Sequence, residues 1–525
     1  MSGLELVVAV GAAVLVCASL ARRYGIAPPV LWLIAGILLG FLPVLRRVPL
    51  PPGAVLLLFL PLLLYWESFT SSLREIRANL RVIVLLSTVL VAVTAAGAAA
   101  AAHLLGLPWG PAWVLGAVVA PTDATAVAVL GGILPRRIGA TLRTESLIND
   151  GTALVIYALA VSVTLGQEHF SVGRLGGLFA LSYVGGVAIG AAVTFLSVHI
   201  RRPLTDAFQH NLFAMLTPLT AYLIAEAAGV SGVLAVVVSG LWMARVSPRL
   251  FPAFARQYVR TVMDFVTSLA NAALFVLVGV EGQSIVRALP SAELGRGAAL
   301  VAAVSAVIVA VRFGWSFTTP YLIRLLDRRP GQRARRLGAR PRVVMAVAGF
   351  RGAVSLAAAL AVPQTLKSGA AFPDRNLIVF VTAGVIAVTL LVQAPLLPRV
   401  VRWARLPADH EAEAESRRAF ITATEEALQA LPGLAAERGS GQEVTEQLRT
   451  EYDRWLRALR TGDEDATAWE RQYAELRRAV IDHKHASVVR MRDSGEIDDE
   501  VLLQLQDRLD TEAVHLEQNR LDGPL

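Results

Sequence analysis

The 525-residue chain has a single cysteine, Cys17, so no intrachain disulfide can staple it and no cysteine cluster can hold a metal. Histidine is scarce, eight in all, and His103, His169 and His199 stand near loops at spacings unsuited to metal ligation. Charge is sparse as well: 17% of residues are Asp, Glu, Lys or Arg against 55% hydrophobic, with a mean hydropathy of +0.56. A soluble domain of this size could not bury so much apolar surface, which excludes a soluble globular protein and implies a polytopic membrane protein. No basic leader and no small-residue cleavage site surround the first apolar run, Leu4 to Ala21, which therefore reads as a retained helix and not a signal peptide. No Ser/His or metal-ligand grouping appears, so neither an enzyme nor a cofactor is expected.

What the chain does have is long apolar runs. Segments of about 17 to 25 residues each suit one crossing of a bilayer. They fall near 4–21, 28–44, 53–69, 80–102, 111–133, 141–165, 175–200, 207–228, 230–246, 259–282, 295–323, 342–363 and 376–397, about thirteen spans in all. Basic clusters at Arg22-Arg23, Arg74 to Arg81, Arg136 to Arg143, Arg201-Arg202, Arg249 to Arg260, Arg324 to Arg342 and Arg399 to Arg405 follow the odd-numbered spans. An excess of Arg on one side sets that side as cytoplasmic, which places the N-terminus outside and the C-terminus inside, with Arg46-Arg47 as the exception.

The net charge of +8 joins two opposed parts: residues 1–408 carry 34 Lys+Arg against 14 Asp+Glu, and residues 409–525 carry 15 against 27. The basic excess lies in loops beside lipid headgroups, so it does not indicate nucleic-acid binding. The expected division is a transmembrane domain, 1–408, and a cytoplasmic helical tail, 409–525. In the tail, WERQYAELRRAVIDHKHASVVRMRD and similar segments place apolar residues at helical spacing with opposite charges three or four apart.

Two spans are interrupted by small and polar residues. The first break is APTDATAV, with Thr122 and Asp123; the second is AGFRGAVSLA, with Gly349, Arg351, Gly352 and Ser355. Paired breaks in spans running in opposite directions point to two inverted halves with crossing broken helices and a midplane transport site.

Just after the first break, TESLINDGTALVIY places two polar stripes on one helix. Glu145 and Asn149 are four apart on one face, and Ser146 and Asp150 are four apart about 100° round. Hydroxyl plus carboxylate suits a hard monovalent cation, which takes oxygen ligands. Asp150 and Ser146 supply two, and Thr122, beside Pro121, can add a freed carbonyl or its hydroxyl. Asp123 either ligates the ion or holds the broken segments together. Glu145 with Asn149 needs a fixed counter-charge, for which Arg351 is the expected partner, giving a structural Glu145–Asn149–Arg351 cluster. Arg312 is expected to pair with an acid such as Asp264 or with carbonyls. Glu67, at the inner end of span three, either reaches the site or faces cytoplasmic water.

A bare carboxylate at membrane depth is costly, so a proton and a metal cation compete for Asp150, and competition for one group gives exchange. A cation channel would instead want a continuous pore ring.

The motifs APTDATAV, ESLINDGTALVIY, SGVLAVVVSGLWM, NAALFVLVGVE, VRFGW and GFRGAVSLAAALAVP, in this order over residues 55 to 400, resemble the cation/proton antiporter-1 family, the bacterial sodium/proton exchangers. The tail, including MRDSGEIDDEVLLQLQ, resembles theirs more loosely. The resemblance implies an electroneutral sodium/proton antiporter, or a potassium/proton antiporter of the same mechanism, working as a homodimer by alternating access. It implies Asp150 as the shared proton and cation carboxylate, Asn149 as its structural neighbour, Thr122 and Ser146 as cation contacts with Asp123 alongside, and Glu145 with Arg351 as the brace of Asn149. Spans four to six and eleven to thirteen would form the moving core, the others a dimerisation scaffold. Where relatives read LPPLLF or LPPLLY, this chain reads LPLLLYWESF and sets Glu67 behind a Trp.

Overall fold

In a computed structural model, residues 2–42, 58–71, 73–123, 134–166, 172–326, 338–366, 368–406, 410–461 and 464–521 are described. They form helices joined by short turns, and among them the sole strand-like pairing is an isolated bridge, Thr365 to Ala371. His169, Arg46-Arg47 and the second half of APTDATAV lie outside the described residues.

In chain order the helices are α1 (Ser2–Tyr24), α2 (Pro28–Leu39), α3 (Leu60–Thr70), α4 (Leu73–Leu104), α5 (Trp109–Val119), α6 (Arg136–Thr164), α7 (Val172–Arg201), α8 (Ala207–Ala227), α9 (Gly232–Leu250), α10 (Ala253–Ala288), α11 (Ser291–Leu326), α12 (Ala339–Val347), α13 (Ala353–Leu360), α14 (Arg375–Val388) and α15 (Ala394–Ala404). Thr389–Gln393, between α14 and α15, is a π turn that keeps the helix continuous. Each of the thirteen apolar segments contains helix among its described residues, though 124–133 of the fifth, most of 53–59 of the third and the end of the second lie outside them. Among the described residues seven helices are long and apolar enough to cross a membrane, within 87–104, 138–164, 180–201, 232–250, 253–287, 291–319 and 375–404, while α2 and α5 are shorter apolar helices. The shortfall from thirteen has a structural side: one apolar segment, 342–363, is divided into α12 and α13, of 9 and 8 residues. At about 1.5 Å per residue each covers less than half of a hydrocarbon layer about 30 Å thick.

Starts and stops follow local chemistry. Pro28 and Pro29 open α2, where their missing N–H groups have no intrahelical partner to lose. Asp206 caps α8 by accepting from Phe208 N, and Ser231 caps α9 by accepting from Leu234 N. Positive-φ glycines Gly25, Gly106, Gly166 and Gly229 end the preceding helices.

Packing relies on small residues, as expected where lipid removes most of the hydrophobic drive between helices. Along α2 and α10, Gly36 and Gly279 face each other so closely that a Cβ on either would run into the partner's backbone, Val276 for one and Leu33 for the other. The three largest apolar clusters among the described residues show the result. One gathers α2, α10 and α12 to α15, including Leu33, Phe275, Phe350 and Ile386. A second gathers α3, α8, α9 and α10, including Leu64, Tyr65, Val236 and Met263. The third joins α4, α5, α11 and α14, including Ala98, Leu115, Leu300 and Val381.

Residues 408–525 form a separate compact unit. It contains α16 (His410–Arg438), α17 (Gln442–Thr461), α18 (Glu464–Asp493) and α19 (Asp499–Leu521). Phe420 of α16 meets Trp455 of α17 edge-on at 4.8 Å, and Arg460 pairs with Glu425. Between α18 and α19, Glu512 receives Arg477 and Lys484, and His485 lies 3.0 Å from Asp510. Exposed pairs of this kind add little each, so apolar contacts carry the pairing.

Candidate functional site

The two breaks meet. Asp123 N donates to Phe350 O at 2.8 Å, a backbone bond from the first interruption to the second. Gly352 lies against the Asp123 side chain, and any Cβ there would overlap the carboxylate. Glycine is therefore required by close approach, not by its φ of −140°.

An interrupted helix at membrane depth leaves carbonyls without amide partners, together with the negative end of a helix dipole. Three arginines answer this. Arg351, 2% exposed, donates Nε to Val119 O at 3.0 Å and Nη2 to Ala120 O at 3.4 Å, the carbonyls at the C-terminal end of α5. It also donates Nη1 to its own break at Gly349 O, 2.6 Å, while its backbone N donates to Thr389 Oγ1 in the π turn. Arg312 of α11 reaches Met345 O near the end of α12 at 3.4 Å. Arg375 donates to Val362 O at 2.8 Å and Leu360 O at 3.0 Å, closing α13.

This corrects the expected brace. Glu145 pairs with Arg312, the two side chains being 13% and 6% exposed, and not with Arg351. The reason is that the Arg351 fork is spent on carbonyls; it feels the charges of Glu145 and Arg312 only at a distance. Arg312 thus has both an acid and a carbonyl, as expected, but the acid is Glu145; Asp264 accepts from Trp66 Nε1 at 2.6 Å.

On α6, the two stripes converge on one residue. Ser146, 2% exposed, donates to Thr122 O at 2.8 Å, and Asn149, 1% exposed, donates Nδ2 to Thr122 Oγ1 at 3.3 Å and to Glu145 Oε1 at 3.5 Å. Thr122 is thus pinned at both its carbonyl and its hydroxyl. Asp150 is 3% exposed, and the charges acting on it are those of Glu67 and Asp123, both of its own sign. Glu67, half-buried on α3, therefore belongs with Asp123 and Asp150 in a group of three carboxylates.

Two oxygens near this group, Asn149 Oδ1 and Glu67 Oε1, are buried without a hydrogen-bond partner. Unsatisfied buried acceptors are rare and call for a physical reason. Carboxylates and orphaned oxygens, with the Arg143 guanidinium acting on Glu67, are hard-oxygen groups of the kind suited to a small cation or a proton.

The remaining polar groups fall elsewhere. His103 stacks on Trp109 at 4.0 Å and bonds Leu107 O, and His199 lies 4.5 Å from Phe195. Among the described residues no cluster of three His, Cys, Asp or Glu has the geometry of a metal site. The residues that sequence reasoning missed are Arg375 and the Arg312–Glu145 link. The signal that could have found them is the breaks themselves, since each freed helix end at membrane depth needs a donor.

A bundle with crossing broken helices and carboxylates at the crossing defines a secondary-transporter architecture. The transmembrane sodium/hydrogen exchanger family matches residues 10–403, and the chain belongs to that family, a family of transporters. An uncharacterised Na(+)/H(+) exchanger of Mycobacterium tuberculosis is 43% identical over 521 residues, covering 98% of this chain and 96% of the relative. An uncharacterised Na(+)/H(+) exchanger of Escherichia coli is 30% identical over 524 residues, covering 94% of each. Among solved structures, the sodium proton antiporter MjNhaP1 of Methanocaldococcus jannaschii superposes with a TM-score of 0.59 at 18% identity, covering 75% of this chain and all of that one, which shows the fold. The protein is a multi-pass membrane protein.

Proposed function

We propose that the protein is a cell-membrane sodium/proton antiporter that exchanges one monovalent cation for one proton by alternating access and so serves pH and sodium homeostasis. The observation that carries this reading is Asp150, a buried carboxylate whose charged neighbours are two further carboxylates. Such a group is stable when it holds a positive charge, and a proton or a cation can each supply one. Because one carboxylate serves both, loading of one requires release of the other.

In this reading Asp150 carries cation and proton in turn, Glu67 and Asp123 add negative field, and Asn149 Oδ1 is an available ligand. Ser146 and Asn149 hold Thr122 through its carbonyl and hydroxyl oxygens. Glu145, Arg312 and Arg351 hold the broken helices in place. The transported ions are substrates, and neither a resident cofactor nor an enzymatic step is part of the scheme. Residues 1–408 form the exchanger and 409–525 a cytoplasmic tail, with the N-terminus outside and two copies joined as a homodimer.

The test is a pH-sensitive dye in everted vesicles or proteoliposomes, with sodium, potassium and lithium added in parallel. Sodium should dequench the dye in the wild type and leave Asp150→Asn at background. Undiminished proton movement in Asp150→Asn would sink the mechanism, and a rate that changes when membrane potential is clamped would contradict one-for-one exchange. Equal responses to sodium and potassium would remove the sodium preference while leaving the exchange intact.

A further inference from the structure

Away from the crossing, a guanidinium is buried without a counter-charge. Arg201 ends α7 and is 3% exposed. It donates to the Tyr65 hydroxyl and, through Nη1, to Met243 Sδ at 3.8 Å; its Cζ stands 4.2 Å over the Phe251 ring, and its Nε has no partner. Among the described residues no carboxylate pairs with it. The acid that follows it in sequence, Asp206, is engaged at the start of α8, and Asp264 is engaged by Trp66.

A second guanidinium borders the same cavity. Arg256, in the first turn of α10, donates Nη1 to Phe251 O at 2.5 Å. The cavity lies between Arg201 and Arg256, with Ser247 and Tyr65 offering hydroxyls and Trp66 and Val259 an apolar wall. The buried Arg201, with the exposed Arg256 at the rim, favours an anion, since a buried charge is stable when paired. Arginine forks match phosphate oxygens in particular.

The level of the cavity selects the source of that phosphate. Arg201 is the last residue of α7, Ser247 lies in the last turn of α9 and Arg256 in the first turn of α10, so the site sits where three apolar helices end or begin. Basic groups at that level meet lipid headgroups. We propose that this cavity binds the phosphate of an anionic phospholipid at its mouth, with the exposed Arg256 on the headgroup and Arg201 behind it. The bound lipid would brace α3, the helix that carries Glu67 two residues from Tyr65.

The full chain, purified and stripped of lipid in detergent, is titrated with phosphatidylglycerol, with phosphatidylcholine and with sodium phosphate, and read by native mass spectrometry and thermal unfolding. Phosphatidylglycerol should bind and raise the unfolding temperature, the other two should not. Arg256→Gln, whose side chain is exposed and so leaves folding intact, should weaken phosphatidylglycerol binding on the order of tenfold, as loss of a charge-assisted contact implies. Arg201→Lys should weaken it as well while keeping the charge. Equal lipid affinity in the wild type and both variants would overturn the proposal. Equal stabilisation by phosphatidylcholine, or by sodium phosphate alone, would overturn the assignment to an anionic lipid.

Discussion

The two breaks share a topology and differ in chemistry. The first contributes Thr122 and Asp123, oxygen groups that face the carboxylate cluster, whereas the second contributes Arg351 and Gly352, a donor and a gap. Arg351 satisfies the carbonyls that end α5, and Gly352 lets Asp123 sit against the second break. A pair of crossing helices can therefore look symmetric in outline while one side gathers oxygen groups and the other supplies the donor that holds the crossing closed.

If that division is right, substitutions on the two sides should separate transport from stability. The largest effect belongs to Asp150→Asn: sodium-driven dequenching falls to background, while the unfolding temperature stays or rises because a buried like-charge contact is removed. A matching fall in unfolding temperature would assign Asp150 a structural role instead. Next is Arg312→Gln, which strands Glu145 and should cost about 3–5 kcal/mol, read as lost folded protein in detergent. Arg312→Gln with Glu145→Gln should recover most of that loss, and no recovery would mean that Arg312 acts mainly through Met345 O. Gly352→Ala should cost about 1–3 kcal/mol, because the new methyl must displace Asp123. Unchanged stability there would show that the two breaks are less tightly joined. Trp66→Phe, which deletes one bond to the exposed Asp264, should be smallest, about 0.5–1.5 kcal/mol by thermal unfolding, with exchange retained.

Hydrophobic runs and four-residue spacing carried much of this architecture into the sequence. The described parts of the apolar segments are helical, and Glu145 with Asn149 and Ser146 with Asp150 share faces as their spacing requires. Spacing within one helix says nothing about which distant helix approaches it. Arg312 and Glu145 are 167 residues apart, and Arg351 reaches Val119 across 232, so the choice between two intramembrane arginines was settled by tertiary packing. The convergence of both stripes on Thr122 was illegible for the same reason: it depends on how the broken strand of chain before Asp123 folds back over α6.

The π turn at Thr389–Gln393 has a consequence for how the chain tolerates change. Its extra residue presents Thr389 Oγ1 to the Arg351 amide and also sets the phase of everything that follows. Deleting one residue there would restore ordinary helical winding and rotate α15 by about 100°. Leu397, Val401 and Ala404 would then swing off the core that buries them. A single-codon loss at this turn is thus equivalent to relabelling a whole helix face, whereas an exchange of one side chain for another of like size leaves the register untouched.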